Sequence, residues 1–110
     1  MNSARKGFAG ERELVVKLAD LGFEAERNIQ RYVGGRGNPD ISLPGIHLEV
    51  KRTEKLRLHD AMIQATMDSR PTGDTPVVMS RRNRDRWLVT MYLDDWAELY
   101  KAFTEGGNGQ

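Results

Sequence analysis

Two carboxylates and an ammonium group lie close together in the stretch NPDISLPGIHLEVKR (residues 38–52), namely those of Asp40, Glu49 and Lys51. Paired carboxylate oxygens bind a divalent metal ion, which can polarise a phosphoryl oxygen and lower the pKa of a bound water. A lysine beside the ion can orient that water or stabilise negative charge in the transition state. These residue types suit metal-assisted hydrolysis if the fold brings them together.

Alternating apolar and polar residues around Pro44-Gly45 predict a hairpin that does so. With this turn, Asp40 faces Glu49, with Cβ atoms roughly 5 Å apart, and Lys51 projects from the same face. The other facing pairs are Leu43–Ile46 and Ile41–Leu48 on the apolar side and Ser42–His47 on the polar side. A slip of one residue would mix the two sides, so the pattern supports this register. The alternative is a surface hairpin whose charges face water.

A third carboxylate, Glu11, lies on the predicted first helix, residues 3–21, which Gly22 ends. At about 100° per residue it falls within an apolar stripe, whereas Glu13 falls on the opposite face. The other members of the stripe are Phe8, Leu14, Val15, Leu18 and Leu21. A carboxylate in an apolar stripe needs a compensating partner, and a shared metal would be one. Alternatively, Glu11 lies at the edge of the stripe and reaches water.

The remaining patterns predict an α/β domain with the element order αβββαββα. An extended segment follows the first helix, and further helices are expected at 56–69 and 94–103, the latter with Asp94 or Asp95 as N-cap. The helix at 56–69 has an apolar face formed by Leu58, Ala61, Met62 and Ala65. A second hairpin, PVVMSR and RWLVTM around RNRD, would place Arg81 opposite Arg86. We expect a mixed five-stranded sheet flanked by helices, one domain at 1–104, and a disordered glycine-rich tail at 105–110.

Composition limits the function classes. The chain has 110 residues, 38% of them apolar, and no run near the roughly 18 apolar residues of a membrane span. No apolar signal core precedes the first helix, so we expect a cytoplasmic protein without membrane contact. The chain has no cysteine and two histidines, which excludes thiolate chemistry and a histidine-rich metal site. A metal would be held by carboxylate oxygens, which favours Mg²⁺ or Mn²⁺, and we expect no small-molecule cofactor.

The net charge is only +1, but basic residues gather in RYVGGRGN, KRTEKLR and RRNRDR. Such clusters suit a phosphate-binding surface and equally suit solubility. In the third cluster, Arg81, Arg82, Arg84 and Arg86 repel one another, and either a phosphate backbone or neighbouring acids would relieve that repulsion. Trp87 and Trp96 are interpreted as core or interface aromatics.

Pro39-Asp40 followed by Glu49-Val50-Lys51 resembles the PD-(D/E)XK nuclease motif. Together, KGFAGERELVVKLADLGFEAERN, the glycine-rich loop, NPDI and HLEVKR resemble the archaeal-type Holliday junction resolvases, a family with relatives in bacteriophages. The resemblance covers about residues 6–52. It implies a restriction-endonuclease-like core, with the family's metal-site acids on Glu11, Asp40 and Glu49 and its lysine on Lys51.

The resemblance also implies Mg²⁺, with Mn²⁺ as a substitute, and a lysine that assists the attacking water. Gln64 resembles a glutamine that many such nucleases place on the helix after the lysine strand, where it would position water; an ordinary solvated glutamine is the alternative. The loop GGRGN lacks the serine that relatives often carry, and Arg36 or Asn38 is a candidate phosphate contact instead.

The implied function is an Mg-dependent endodeoxyribonuclease that resolves four-way DNA junctions by paired symmetric nicks. Two nicks require two sites, so a two-fold homodimer is expected, with Val16 or the last helix as candidate interface. The candidate DNA-binding residues are Arg5, Lys6, Arg31, Arg36, Asn38, Arg52, Arg81, Arg82, Arg84 and Arg86. Two alternatives remain: a nuclease for flaps, ends or duplexes in repair, replication or restriction, and a non-catalytic DNA-binding module. A protein that only binds DNA gains nothing from clustered acids facing the phosphates, which counts against the non-catalytic DNA-binding module.

Overall fold

The computed structural model describes residues 3–27 and 41–108, with side chains at 9–27 and 41–106. The described elements are α1 (Ser3–Asp20), β1 (Glu26–Arg27), β2 (Ile41–Leu43), β3 (Ile46–Arg52), α2 (Leu58–Ser69), β4 (Thr75–Arg81), β5 (Leu88–Thr90) and α3 (Leu93–Asn108). They form one sheet in the order β1-β2-β3-β4-β5, in which only the β3–β4 pair is parallel. The predicted mixed sheet and element order are confirmed.

The β2–β3 hairpin has the predicted register. Ile41 pairs with Leu48, Ser42 with His47 and Leu43 with Ile46. Gly45 at the turn has a φ of 88°, which suits the third position of a type II turn with proline before it. The alternation therefore fixed which face each side chain takes. The expected Asp40–Glu49 pair lies outside the described residues.

Helix α1 covers one face of this sheet. Its Leu14 and Leu18 pack with Ile41 and Leu48, so the predicted stripe is buried, and Glu11 is buried within it. Gly22, with a φ of 99°, ends the helix: its N–H donates to the Ala19 carbonyl, and the next N–H to that of Leu18.

The end of the α1 stripe differs from the prediction. Leu21 was expected in the stripe but is 60% exposed, because α1 already ends at Asp20.

Helix α2 covers the opposite face. Ala61, Met62 and Ala65 pack against Val78 of β4, as their spacing indicated. The helix begins at Leu58 rather than at position 56, and Leu58 is exposed although it was expected on the buried face. Leu56, from the loop before α2, packs against this cluster instead.

The second hairpin differs from the predicted one by one residue. Ser80 pairs with Leu88 and Met79 with Val89, so continuing the register sets Arg81 opposite Trp87, not Arg86. The reason is a wider turn: β5 begins only at Leu88, and the connection is longer than RNRD. The expectation that Arg81 faces Arg86 is therefore wrong.

Helix α3 begins before its predicted start and continues past its predicted end. The Trp96 N–H donates to the Tyr92 carbonyl, so neither Asp94 nor Asp95 is the N-cap; both lie in the first turn, where negative charge complements the helix dipole. The helix continues to Asn108 and so includes four of the residues assigned to a tail, because its backbone ladder continues through the two glycines. The domain limits stay a prediction.

Within the described part of the chain, no helix combines the length and apolar character that crossing a bilayer requires.

Candidate active site

Glu49 lies in the middle of β3, on the sheet face that α2 covers. It is only 4% exposed and contacts another buried side chain, His47, through a 3.1 Å hydrogen bond between His47 Nε2 and Glu49 Oε1. Residues two apart on a strand share a face, which is why the two side chains meet. When the Glu49 carboxylate is ionised it can only accept, and His47 Nε2 is then the donor of this bond. The pair holds the Glu49 carboxylate in one orientation.

Asp68, near the end of α2, completes a group of three potential metal ligands. One ligand atom each from His47, Glu49 and Asp68 lies within 4.8 Å of the other two. Two carboxylates this close repel each other unless a cation or proton lies between them, so the donor set fits a divalent ion. His47 Nε2 can either donate its N–H to Glu49 or bind an ion through its lone pair, because the proton and the ion would occupy the same position on the nitrogen.

Lys51 lies two residues after Glu49 on the same face of β3 and lines an open pocket of about 230 Å³. Gln64 and Asp60, from successive turns of α2, line the same pocket. The structure thus brings the predicted lysine and the predicted glutamine together between β3 and α2. An ammonium, an amide and a carboxylate in one open pocket can bind a phosphate and a water.

Glu11 is buried at 3% exposure on α1, against the opposite face of the sheet. Its Oε1 accepts a 3.4 Å hydrogen bond from Arg27 Nε on the edge strand β1. The burial agrees with the helical-wheel analysis, and the arginine supplies part of the compensation that a buried carboxylate needs. Among the described residues, the group of potential ligands around Glu49 does not include Glu11.

Several predicted residues cannot be placed. Asp40, the expected partner of Glu49, lies outside the described residues, as do Arg31, Arg36 and Asn38. Arg5 and Lys6 lie on α1, but their side chains are outside the described set. A shared metal site of Glu11, Asp40 and Glu49 therefore stays a prediction.

Glu13 holds two of the predicted DNA-binding arginines, and its position corrects the prediction: it was expected on the face of α1 opposite Glu11, but it is partly buried and reaches β3 and β4. Arg52 Nε and Arg81 Nη1 each lie 3.0 Å from Glu13 Oε1. Glu13 reaches these arginines because α1 packs closely on β3 at Gly10. A Cβ at Gly10 would lie only 2.7 Å from the Arg52 Cβ, so this approach requires glycine. The ion pairs of Glu13 with Arg52 and Arg81 thus link α1 to β3 and β4. Both arginines therefore stabilise the fold and are also candidates for phosphate contact.

The turn after β4 carries the other basic residues. Arg82 Nη2 lies 2.8 Å from Asp85 Oδ2, and this hydrogen bond, helped by the Arg86 N–H, lowers the pKa of the Asp85 carboxyl. Arg84 adopts a φ of 59°, which places it at the tip of the turn. Arg84 and Arg86 are exposed, and neither forms an ion pair with another described residue. Neighbouring acids therefore relieve only part of the repulsion that the sequence predicted.

His47 and Asp68 are site residues that the sequence analysis missed. A signal for His47 was present, because it shares the polar face of the hairpin with Glu49. Asp68 had none, since its approach depends on how α2 lies over the sheet.

Comparison with solved structures gives a match to Hjc from Archaeoglobus fulgidus, a Holliday junction resolvase from an archaeal hyperthermophile. The TM-score is 0.56 at 28% sequence identity, over 74% of this chain and 72% of that chain. No protein-family model matches the chain, and no curated protein does. The chain therefore has the PD-(D/E)XK nuclease fold in the form of the archaeal-type Holliday junction resolvases, which confirms the resemblance found in its sequence.

Proposed function

We propose that this chain is an Mg²⁺-dependent endonuclease that cuts four-way DNA junctions by paired symmetric nicks. One observation carries the proposal: β3 presents a buried Glu49 and a pocket-lining Lys51 on one face, in a chain similar to a Holliday junction resolvase. Clustered acids beside a lysine disfavour a DNA surface that only binds, which supports a nuclease over a binding module.

The acids are proposed to hold the metal. Glu49 would be a ligand together with Asp40, and the nearby His47 and Asp68 would orient Glu49 or share the ion. Glu11, the third predicted ligand, lies against the other face of the sheet and would have to reach the ion around the sheet edge. The bound ion supplies Lewis-acid chemistry at the scissile phosphate. Oxygen ligands suit Mg²⁺, and a nitrogen ligand from His47 would favour Mn²⁺.

Lys51 and Gln64 are proposed to act on the water and the phosphate. The Lys51 ammonium, projecting into the open pocket, would stabilise the negative charge that develops on the phosphoryl oxygens. The Gln64 amide can donate to the phosphate and accept from the attacking water.

The basic turn is proposed to bind the DNA backbone. Arg84 and Arg86 form no ion pair with another described residue, whereas Arg81 and Arg82 would have to exchange a carboxylate for a phosphate. Contacts of this kind read the shape of a branch rather than its base sequence. Two nicks on opposite strands require two sites, so the acting form would be a homodimer in the cytoplasm.

The test compares a four-way junction, a flap and a linear duplex of equal length, each with Mg²⁺ and with chelator. Wild-type protein is expected to nick the junction in two symmetric strands, only with metal. Glu49→Gln and Lys51→Ala should lose at least a hundredfold in cleavage rate while still binding the junction. Glu24→Gln, an exposed acid away from the pocket, is the matched control and should cut normally.

If the linear duplex is cut as fast as the junction, the protein is a duplex endonuclease and not a junction resolvase. If the flap is cut fastest, the protein is a flap nuclease. Binding without cutting of any substrate would establish the non-catalytic module.

A further inference from the structure

A second pocket adjoins the pocket that Lys51 lines. It has a volume of about 470 Å³ and lies between the segment that joins β3 to α2 and the β4–β5 hairpin. Leu56 lines both pockets, so they share a wall. Sites for small organic ligands have volumes of roughly 300–1,000 Å³, and a single nucleotide is a ligand of that class. The second pocket is therefore large enough for one nucleotide.

The two pockets open on the same face of the sheet. Ser80 of β4 lines the second pocket and pairs with Lys51 in the parallel β3–β4 ladder. Paired residues of neighbouring strands lie about 5 Å apart and project from the same face. In the proposed function, Lys51 acts at the scissile phosphate. The second pocket thus lies within reach of the nucleotide next to that phosphate.

Leucine side chains form the apolar part of the second pocket. Leu88 of β5 is 64% exposed, Leu58 at the start of α2 is 38% exposed, and Leu56 forms the shared wall. A flat aromatic ring that covers these side chains removes apolar surface from water, which is favourable. A nucleobase is such a ring.

Three hydroxyl groups line the same pocket, those of Thr53, Ser80 and Thr90. A hydroxyl can donate or accept a hydrogen bond, and it rotates to suit its partner. The polar edge of any base can therefore be met here, whereas a fixed amide or carboxylate would favour one base. This lining suits the recognition of an unpaired base without regard to its identity.

The rim of the second pocket is basic. Lys55 and Arg86 line it, and neither forms an ion pair with another described residue. The two acids at the pocket already have partners: Glu54 accepts a 2.7 Å hydrogen bond from a backbone N–H of the turn, and Asp85 pairs with Arg82. Apolar walls with a cationic rim match the two parts of a nucleotide, its base and its phosphate.

We propose that the second pocket binds the unpaired base of the nucleotide next to the scissile phosphate, while Lys55 and Arg86 hold the phosphate of that nucleotide. The inference rests on the proposed function, since it takes the Lys51 pocket as the place of cleavage. A base inside a duplex is stacked between its neighbours and cannot enter, and unstacking costs least where pairing is already interrupted. The second pocket therefore favours DNA with an unpaired base near the cut, as at a branch.

The first test uses 2-aminopurine, an adenine analogue whose fluorescence rises when it unstacks, placed at each nucleotide near the branch of a four-way junction in turn. In chelator and at saturating protein, wild-type chain should raise the emission at least about twofold at one position, because the base leaves the stack there. Leu88→Glu, which puts a carboxylate into the second pocket, should give no rise at that position. No rise at any position with wild-type chain, or an equal rise with Leu88→Glu, would overturn the inference.

Val89→Glu is the matched control for this substitution. Val89 follows Leu88 on β5, is 60% exposed, and projects from the opposite face, where its partner Met79 packs against the α1 side of the core. The control makes the same change of charge at a similar exposure, and it should leave the rise of emission as in the wild type.

The second test replaces the nucleotide at that position by an abasic one and measures junction affinity by anisotropy in chelator. Leu88→Ala should weaken binding to the intact junction about tenfold, the lower end of what a lost apolar contact in a pocket costs. The same variant should bind the abasic junction as tightly as wild-type chain does, which also shows that it is folded. Val89→Ala should match the wild type on both junctions.

An equal loss of affinity for both junctions would overturn the inference, because Leu88 would then contact something other than the base. Unchanged affinity of Leu88→Ala for the intact junction would overturn it as well.

Neither test involves cleavage, so the two proposals can fail separately. If Leu88 and the base are coupled in a protein that cuts no DNA, only the proposed nuclease activity is refuted. If the junction is cut but Leu88 and the base are not coupled, only the base-binding pocket is refuted.

Discussion

The hydrogen bond between His47 and Glu49 should stabilise the fold measurably in the absence of metal. The perturbation is a double-mutant cycle in which His47→Ala and Glu49→Ala are made singly and together. Both side chains are almost fully buried, at 2% and 6% exposure, and the bond is 3.1 Å long. Each single variant removes one partner from a buried polar pair and leaves the other in a place that water barely reaches.

The size of the effect follows from this burial. A hydrogen bond to a charged group contributes about 1.5–3 kcal/mol. We therefore expect each single variant to lose at least about 1.5–3 kcal/mol of unfolding free energy. The double variant should lose less than their sum, by a coupling energy of about 1.5–3 kcal/mol.

Urea unfolding at neutral pH in the presence of chelator gives the unfolding free energies of the wild type and the three variants. Trp87, which packs against the core, reports unfolding by its fluorescence. The control cycle pairs His47→Ala with Lys101→Ala, on the exposed side of α3, and should be additive. Additivity of the His47 and Glu49 variants within about 0.5 kcal/mol would show that the two side chains do not stabilise each other. The buried pair would then not hold the Glu49 carboxylate.

Three further predictions concern the packing of α1 and the turn after β4. Gly10→Ala should lower the unfolding free energy by about 1–3 kcal/mol in urea titrations, because its Cβ would meet the Arg52 Cβ at 2.7 Å; an unchanged midpoint would show that α1 can shift. Arg84→Gly should raise the unfolding free energy by roughly 1 kcal/mol, because glycine adopts the positive φ without strain. The same variant should reduce the slope of log affinity for the junction against log salt concentration by about one, the value of one phosphate contact. A steeper slope would argue against that contact. Asp85→Asn should strengthen junction binding at low salt in a filter or anisotropy assay by releasing Arg82, and weaker binding would indicate that the ion pair shapes the turn for DNA.

The hairpin that carries Glu49 and Lys51 was predictable because its information is local. Side chains alternate with a period of two, so the apolar residues of β2 and β3 specify both register and face. A proline-glycine pair at the turn leaves one geometry that fits, with the positive φ at Gly45. The same logic located Glu11, since a helix places every third or fourth residue on one face.

The partners of the charged side chains were not predictable, because they come from distant parts of the chain. Glu13 bonds Arg52 and Arg81, which are 39 and 68 positions away. No local pattern encodes such an approach, since it depends on how α1 lies on the sheet. The position of Asp68 above Glu49 depends in the same way on α2.

The error at the β4–β5 turn has a different origin. A basic turn with no proline-glycine signal does not specify its own length, so its register could not be fixed.

The most direct test of the central claim is the position and coupling of the nicks in a four-way junction. A plasmid that extrudes a cruciform contains one such junction, and linear product forms directly only if both strands are cut during one binding event. With Mg²⁺, we expect linear product with nicks at symmetric positions across the branch, and we expect it to be lost in Glu49→Gln and in chelator. Nicked circles alone, asymmetric nicks, or cleavage that persists in Glu49→Gln would contradict it.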